Sequence, residues 1–112
     1  MIGRYKHSAC KWCYKDLSIE EMAARAGDVG LNSIELVNVS ELPILAKHRL
    51  ECAMVWGVPG GITDGLNNRD NHQRIKEFMS RDIPLMAEAG AKNMICFSGN
   101  RNGQSDDEGL EV

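Results

Sequence analysis

Residues 18–30 limit most strongly what this chain can fold into. Ser18 and Glu21 stand at capping-box spacing, where each side chain can serve a backbone N–H of the other. Leu17 and Met22 occupy the two positions of a hydrophobic staple. Ile19, Met22, Ala23, Ala26 and Val29 then recur at helical spacing, and Gly30 suits a left-handed stop. The β-like run NSIELV follows at 32–37. The pattern predicts a helix over 18–29 that turns tightly into a strand, which is half of a βαβ unit.

The same alternation continues along the chain. YKHSAC (5–10) reads as a first strand and SELPILAKH (40–48) as a short helix capped by Ser40, with Pro43 in its first turn. ECAMVW (51–56) reads as a third strand. GVPGGITDGLNNRDN (57–71) is a long loop, and the helical pattern returns over 70–89. Pro84 is expected to kink or split that helix, because it removes one hydrogen bond and crowds the preceding turn. Gly90 ends it, and KNMICF (92–97) is the fourth strand. "MAARAGDVGLNSIELV" and "MAEAGAKNMICF" echo one another, each running from an alanine-rich helix through a glycine into a strand. The order βαβαβαβ argues for a parallel sheet covered by helices. Ser105 and Glu108 form a second capping-box pattern close to Val112, so a fourth helix is announced and the domain is expected to break off as it begins.

A net charge of −3 gives no electrostatic reason to expect nucleic acid, and no apolar run approaches a membrane span. MIGRYKHSAC lacks the apolar core of a signal peptide. The four cysteines, at 10, 13, 52 and 96, are too sparse for a secreted disulfide scaffold. A cytoplasmic protein with reduced thiols is the expectation, with an export signal upstream of this chain left open as the alternative.

Cys10-Lys11-Trp12-Cys13 has C-x-x-C spacing. A thioredoxin-type pair opens a helix, but the helix signal here starts only at Ser18. A structural zinc site needs four ligands, and no second such pair exists. The motif is therefore read as the end of a strand. The loop GVPGGITDGL matches neither common phosphate-binding glycine pattern and is read as a flexible βα loop over a pocket. In SGNRNG, Arg101 is available to a carboxylate or phosphate. Glu35, inside a strand-like run, either serves a polar pocket mouth or pairs with a neighbouring lysine. Trp12 and Trp56 fall at or just after strand ends, the functional side of parallel βα proteins, although core packing is the commoner use of a tryptophan.

KHSACKWCY, SIELV, ECAMVWG, the TDGLN–NH segment and AEAGAKNMICFSGNR together resemble the N-terminal part of hydroxypyruvate isomerase-like proteins. These belong to the xylose isomerase-like sugar-phosphate isomerases and epimerases. The resemblance runs from about 6 to 111 and implies an α/β fold, the first four strands of a (β/α)8 TIM barrel, with residues 1–112 as one partial domain. A whole barrel needs roughly 250 residues and carries its site at the strand C-termini. In the family the proton-transferring glutamates and metal ligands lie on later strands. The resemblance thus places no catalytic residue and no metal ligand in this segment, and a divalent metal belongs to the complete protein. It leaves a pocket wall of Lys11, Trp12, Glu35, Trp56, Ser98, Asn100 and Arg101 for a small hydroxy-carbonyl acid or sugar.

The implied reaction converts hydroxypyruvate to tartronate semialdehyde: a carboxylate moves a proton between neighbouring carbons through an enediol. No nucleic-acid or membrane partner is expected. The alternative is a half-barrel that self-associates as a homo-oligomer, two copies covering each other's strand edges in a binding or structural role without catalysis. A small thiol-redox protein built on Cys10 and Cys13 is the third reading.

Overall fold

A computed structural model describes residues 5–112. The chain forms two compact units: one comprises the chain up to Trp56 together with Leu85–Met94, the other Gly57–Pro84 together with Ile95–Val112.

In the first unit, β1 (Ser8–Cys10) pairs in parallel with β2 (Ser33–Glu35), in the register Ser8↔Ser33, Ala9↔Ile34, Cys10↔Glu35. The connection between them is α1 (Ile19–Ala26), and its capping box is formed as the sequence predicts: the Glu21 amide donates to Ser18 Oγ while Ser18 N–H donates to the Glu21 carboxylate. The buried face of α1 is Ile19, Met22, Ala23 and Ala26. Val29 does not join them and is 73% exposed, because the helix stops at Ala26. The stop is a Schellman motif: Leu31 N–H bonds Ala26 O (2.9 Å) and Gly30 N–H bonds Gly27 O (3.2 Å), with Gly30 at φ +78°.

A 3-10 turn (Val39–Glu41) leads into α2 (Leu42–Lys47). Ser40 does not cap this helix: Asn38 and Glu41 form a capping box in which the Asn38 N–H donates to the Glu41 carboxylate (2.7 Å), and Pro43 sits in the first turn of α2. Ile34, Val37, Leu45 and Val55 are fully buried at the centre of this unit. Each contributes about 1.5–3 kcal/mol by leaving water.

Helix α3 (His72–Glu88) begins in the second unit and ends in the first. Pro84 neither splits it nor ends it: the helix carries the proline in its interior and gives up one backbone hydrogen bond there. Its end repeats the end of α1. Ala91 N–H bonds Met86 O and Gly90 N–H bonds Ala87 O, both at 3.1 Å, with Gly90 at φ +77°. The sequence echo is therefore an echo of one helix-stop geometry. In the second unit, Val58 and Ile75 are buried, and α4 (Asp106–Leu110) starts from a capping box between Ser105 and Glu108 with no buried residue.

The expected fold class is corrected here. The described residues form one two-stranded parallel sheet and four α-helices, without the four βα repeats of half a TIM barrel. The segments predicted as strands three and four make single parallel bridges, Ser33↔Glu51 and Val55↔Met94. Side chains have taken the backbone groups that a longer ladder would need. The Glu35 carboxylate accepts the N–H groups of both Ala53 and Met54 at 2.8 Å, and Asn93 Nδ2 donates to Ala53 O at 2.8 Å. Just past Glu35, Leu36 adopts φ +59°, a left-handed conformation that ends β2 at some cost for a residue with a side chain. No helix among the described residues is long and apolar enough to cross a membrane.

Candidate functional site

The seven wall residues expected from the sequence divide between the two units. In the first unit, Lys11 and Trp12 follow β1, Glu35 is the last residue of β2, and Trp56 ends the segment 51–56. Lys11 and Trp12 lie in a 3-10 turn (Lys11–Cys13) that begins as β1 ends. Lys11 Nζ donates to Leu17 O at 2.9 Å, so the ammonium bridges this turn to the entry of α1. Trp12 is 58% exposed and presents an open aromatic surface. Trp56 is half-buried, and its N–H bonds Val37 O at 2.9 Å.

No ion pair joins Glu35 to a lysine among the described residues; its nearest partners are backbone amides and a hydroxyl. Besides the two amides of Ala53 and Met54, its carboxylate accepts the Ser33 hydroxyl at 2.6 Å. Charge-assisted bonds of this kind are worth about twice a neutral one, and here they tie β2 to the 53–54 backbone. Glu35 is thus a structural anion whose acceptor positions are largely used inside the protein. Partial burial, and next the negative charge of Glu35, push the Cys52 thiol up to about 11.

That shift has a definite sign. The fold favours the neutral thiol, so its contribution to stability is complete below the ordinary thiol range near 9 and is lost as pH rises through about 11. Stability is expected to fall between pH 9 and 11 by more in the native chain than in Cys52→Ser, as read by urea unfolding at each pH. If the two chains lose stability equally, Cys52 is not the titrating group. Near pH 8 Cys52 should also carry about a hundredfold less thiolate than an ordinary cysteine, and so be alkylated after the exposed Cys13 and Cys96.

A cleft of about 400 Å³ in the first unit is lined by Leu42, Leu45, Leu50, Ala91 and the backbone around Cys52 and Asn93. None of the four wall residues of this unit lines it.

In the second unit, Asn100 and Arg101 line a polar cleft of about 540 Å³, together with Asn67, Asn68, Arg69 and Gln104. Ser98 and Arg101 line a second cleft of about 390 Å³. Asn67, which sequence reasoning passed over, organises this region. Its N–H bonds Ser98 O (2.7 Å), its Nδ2 donates to Asn100 O (2.9 Å), and its carbonyl accepts from Gln104 Nε2 (3.1 Å). Backbone crosses backbone beside it: a Cβ added at Gly65 would lie 2.4 Å from Gly99 N and from Phe97 O, so no side chain fits there.

Arg101 is already engaged. Its Nε donates to Gln104 O at 2.7 Å, and a terminal guanidinium nitrogen pairs with Asp106 at 2.8 Å. Arg101 lines the cleft, and these two contacts use only part of the five N–H donors of its guanidinium group.

The carbonyls of loop 57–71, read from the sequence as flexible, meet several side-chain donors. Arg74 donates to Pro59 O and Asp64 O, both at 2.7 Å; Asn71 Nδ2 donates to Gly65 O at 3.1 Å, and His72 Nε2 lies 2.8 Å from Leu66 O. Only an arrangement in which α3 begins beneath the loop brings these donors to those carbonyls. The nearest sequence signal was the density of Asn, Arg and His over 67–74.

Among the described residues, no three His, Cys, Asp or Glu side chains group as a metal site. No protein-family model and no curated protein matches the sequence.

Proposed function

We propose that this chain supplies substrate-holding groups of a hydroxypyruvate isomerase-like enzyme, related to the xylose isomerase-like sugar isomerases and epimerases, and that proton transfer depends on carboxylates outside these 112 residues. The observation that carries the reading is the polar cleft of about 540 Å³ with Asn100 and Arg101 in its wall, lined also by side-chain amides, Arg69 and the carboxylates Glu108 and Glu111. Side-chain amides both donate and accept, which suits the hydroxyl and carbonyl groups of a small hydroxy-carbonyl acid, and a guanidinium suits its carboxylate. The volume falls within the range of small-molecule sites. Resemblance in the stretches SIELV, ECAMVWG and AEAGAKNMICFSGNR supports the choice of family. Glu35, which accepts from Ser33, Ala53, Met54 and, at 3.9 Å, the Cys52 thiol, has little acceptor capacity left for abstracting a substrate proton. The four free thiols suit a cytoplasmic setting.

Two measurements on the purified chain test this. Titration with hydroxypyruvate is expected to shift the backbone amide signals of 98–104 in a saturable way while leaving those of α1 in place. Absence of any shift at millimolar ligand sinks the binding claim. Incubation of hydroxypyruvate with the chain in deuterated water is expected to give no deuterium exchange above the uncatalysed rate. Catalysed exchange would show that the proton-transferring group lies within this chain.

A further inference from the structure

The C-x-x-C pair does open a helical turn, a feature the sequence did not reveal. Cys10 ends β1 in extended conformation (φ −82°, ψ 131°) and caps the 3-10 turn Lys11–Cys13, where Tyr14 N–H returns to Lys11 O at 3.0 Å. In such a turn residues i and i+3 stand one above the other, with Cα atoms roughly 6 Å apart. That lies inside the range of about 4.4–6.8 Å that a disulfide spans. Cys10 is half-buried and Cys13 exposed, and neither thiol has a hydrogen-bond partner among the described residues. The other two cysteines differ. Cys52 is held by Met54 O at 3.2 Å, and Cys96 has no cysteine near it in sequence.

We propose that Cys10 and Cys13 form a reversible dithiol–disulfide pair that closes across the turn carrying Lys11 and Trp12. The oxidant is a low-molecular-weight disulfide. The exposed Cys13, as thiolate, attacks one of its sulfurs, forming a mixed disulfide and expelling one small thiolate. Cys10, deprotonated in turn, attacks Cys13 Sγ and expels the second. The protein loses two thiol protons and two electrons, and the small disulfide becomes two thiols. The second step is fast relative to capture of another small molecule, because a thiol three residues away acts at an effective concentration on the order of millimolar or more. Closure fixes the turn from which Lys11 reaches Leu17 O and on which Trp12 is displayed. The assignment stands independently of the isomerase reading, since it uses no ligand.

The test uses the full chain with Cys52→Ser and Cys96→Ser, equilibrated across ratios of glutathione to glutathione disulfide, quenched in acid and weighed. The expected product is a monomer lacking two hydrogens, with no retained glutathione, and it disappears when Cys13→Ser is added. Closure in buffer should be favoured about tenfold or more over closure in urea, because the folded turn holds the two thiols together. A persistent glutathione adduct, a disulfide-linked dimer, or equal closure in buffer and urea each overturns the proposal.

Discussion

Replacing Glu35 by alanine is expected to cost about 3 kcal/mol of stability, while Glu35→Gln costs only about 1. The alanine strips the carboxylate from the Ala53 and Met54 amides and the Ser33 hydroxyl at once. A hydrogen bond to a charged group is worth about 1.5–3 kcal/mol, and water reaching the exposed Ala53 offsets part of the loss. Glutamine keeps one carbonyl oxygen, and both amides converge on a single oxygen of Glu35, so the geometry survives while the charge does not. Urea unfolding gives the two values. Hydrogen exchange at Ala53 and Met54 supplies a second readout, since their protection should fall sharply in the alanine variant and slightly in the glutamine one. Equal losses in the two variants would mean that these amides do not depend on Glu35.

The second large effect has the opposite sign. Pro84 lies inside α3, exposed, at a position where an ordinary residue would donate to Ser80 O. A proline in a helix interior costs about 3 kcal/mol relative to alanine. Its restriction of the unfolded chain returns about 0.4–1 kcal/mol, so Pro84→Ala is expected to stabilise the protein by about 2. No packing is lost, because the ring faces solvent. A protected amide should appear at residue 84, and the urea midpoint should rise. An unchanged midpoint would show that α3 already recovers the missing bond elsewhere. Nothing in the structure explains why a proline stands there.

Helix ends were legible in the sequence because their chemistry is local. Ser18 with Glu21, Ser105 with Glu108, and the glycines at 30 and 90 act within a few residues of themselves, and each does so as its spacing implies. Strand extent was not legible, since it depends on competition between distant partners. Only Ser8–Cys10 of YKHSAC and Ser33–Glu35 of SIELV form strands, and in ECAMVW the backbone bonds to 32–37 are interrupted where the Ala53 and Met54 amides turn to the Glu35 carboxylate. No propensity in ECAMVW records that interference. Leu36 is a similar case, because leucine gives no warning of a left-handed backbone.

The candidate site was legible in part. Asn100 and Arg101 do line a polar cleft and Trp12 is open to solvent, whereas the engagements of Lys11, Glu35 and Arg101 depend on partners that spacing alone does not identify. Asn67 was missed because an asparagine in a glycine-rich loop looks like any turn residue until its three partners are known.

The side-chain hold on loop 57–71 bears on how this region moves. Its carbonyls at Pro59, Asp64, Gly65 and Leu66 face donors from Asn71, His72 and Arg74, at or just before the start of α3. Lifting the loop would break those bonds together, leaving a guanidinium and several carbonyls to be rehydrated in the same event. Loop and helix entry therefore form one cooperative opening unit, with a free energy well above that of a glycine-rich segment on its own. Opening there is therefore expected to appear in hydrogen exchange as one event shared by the loop and the first turn of α3.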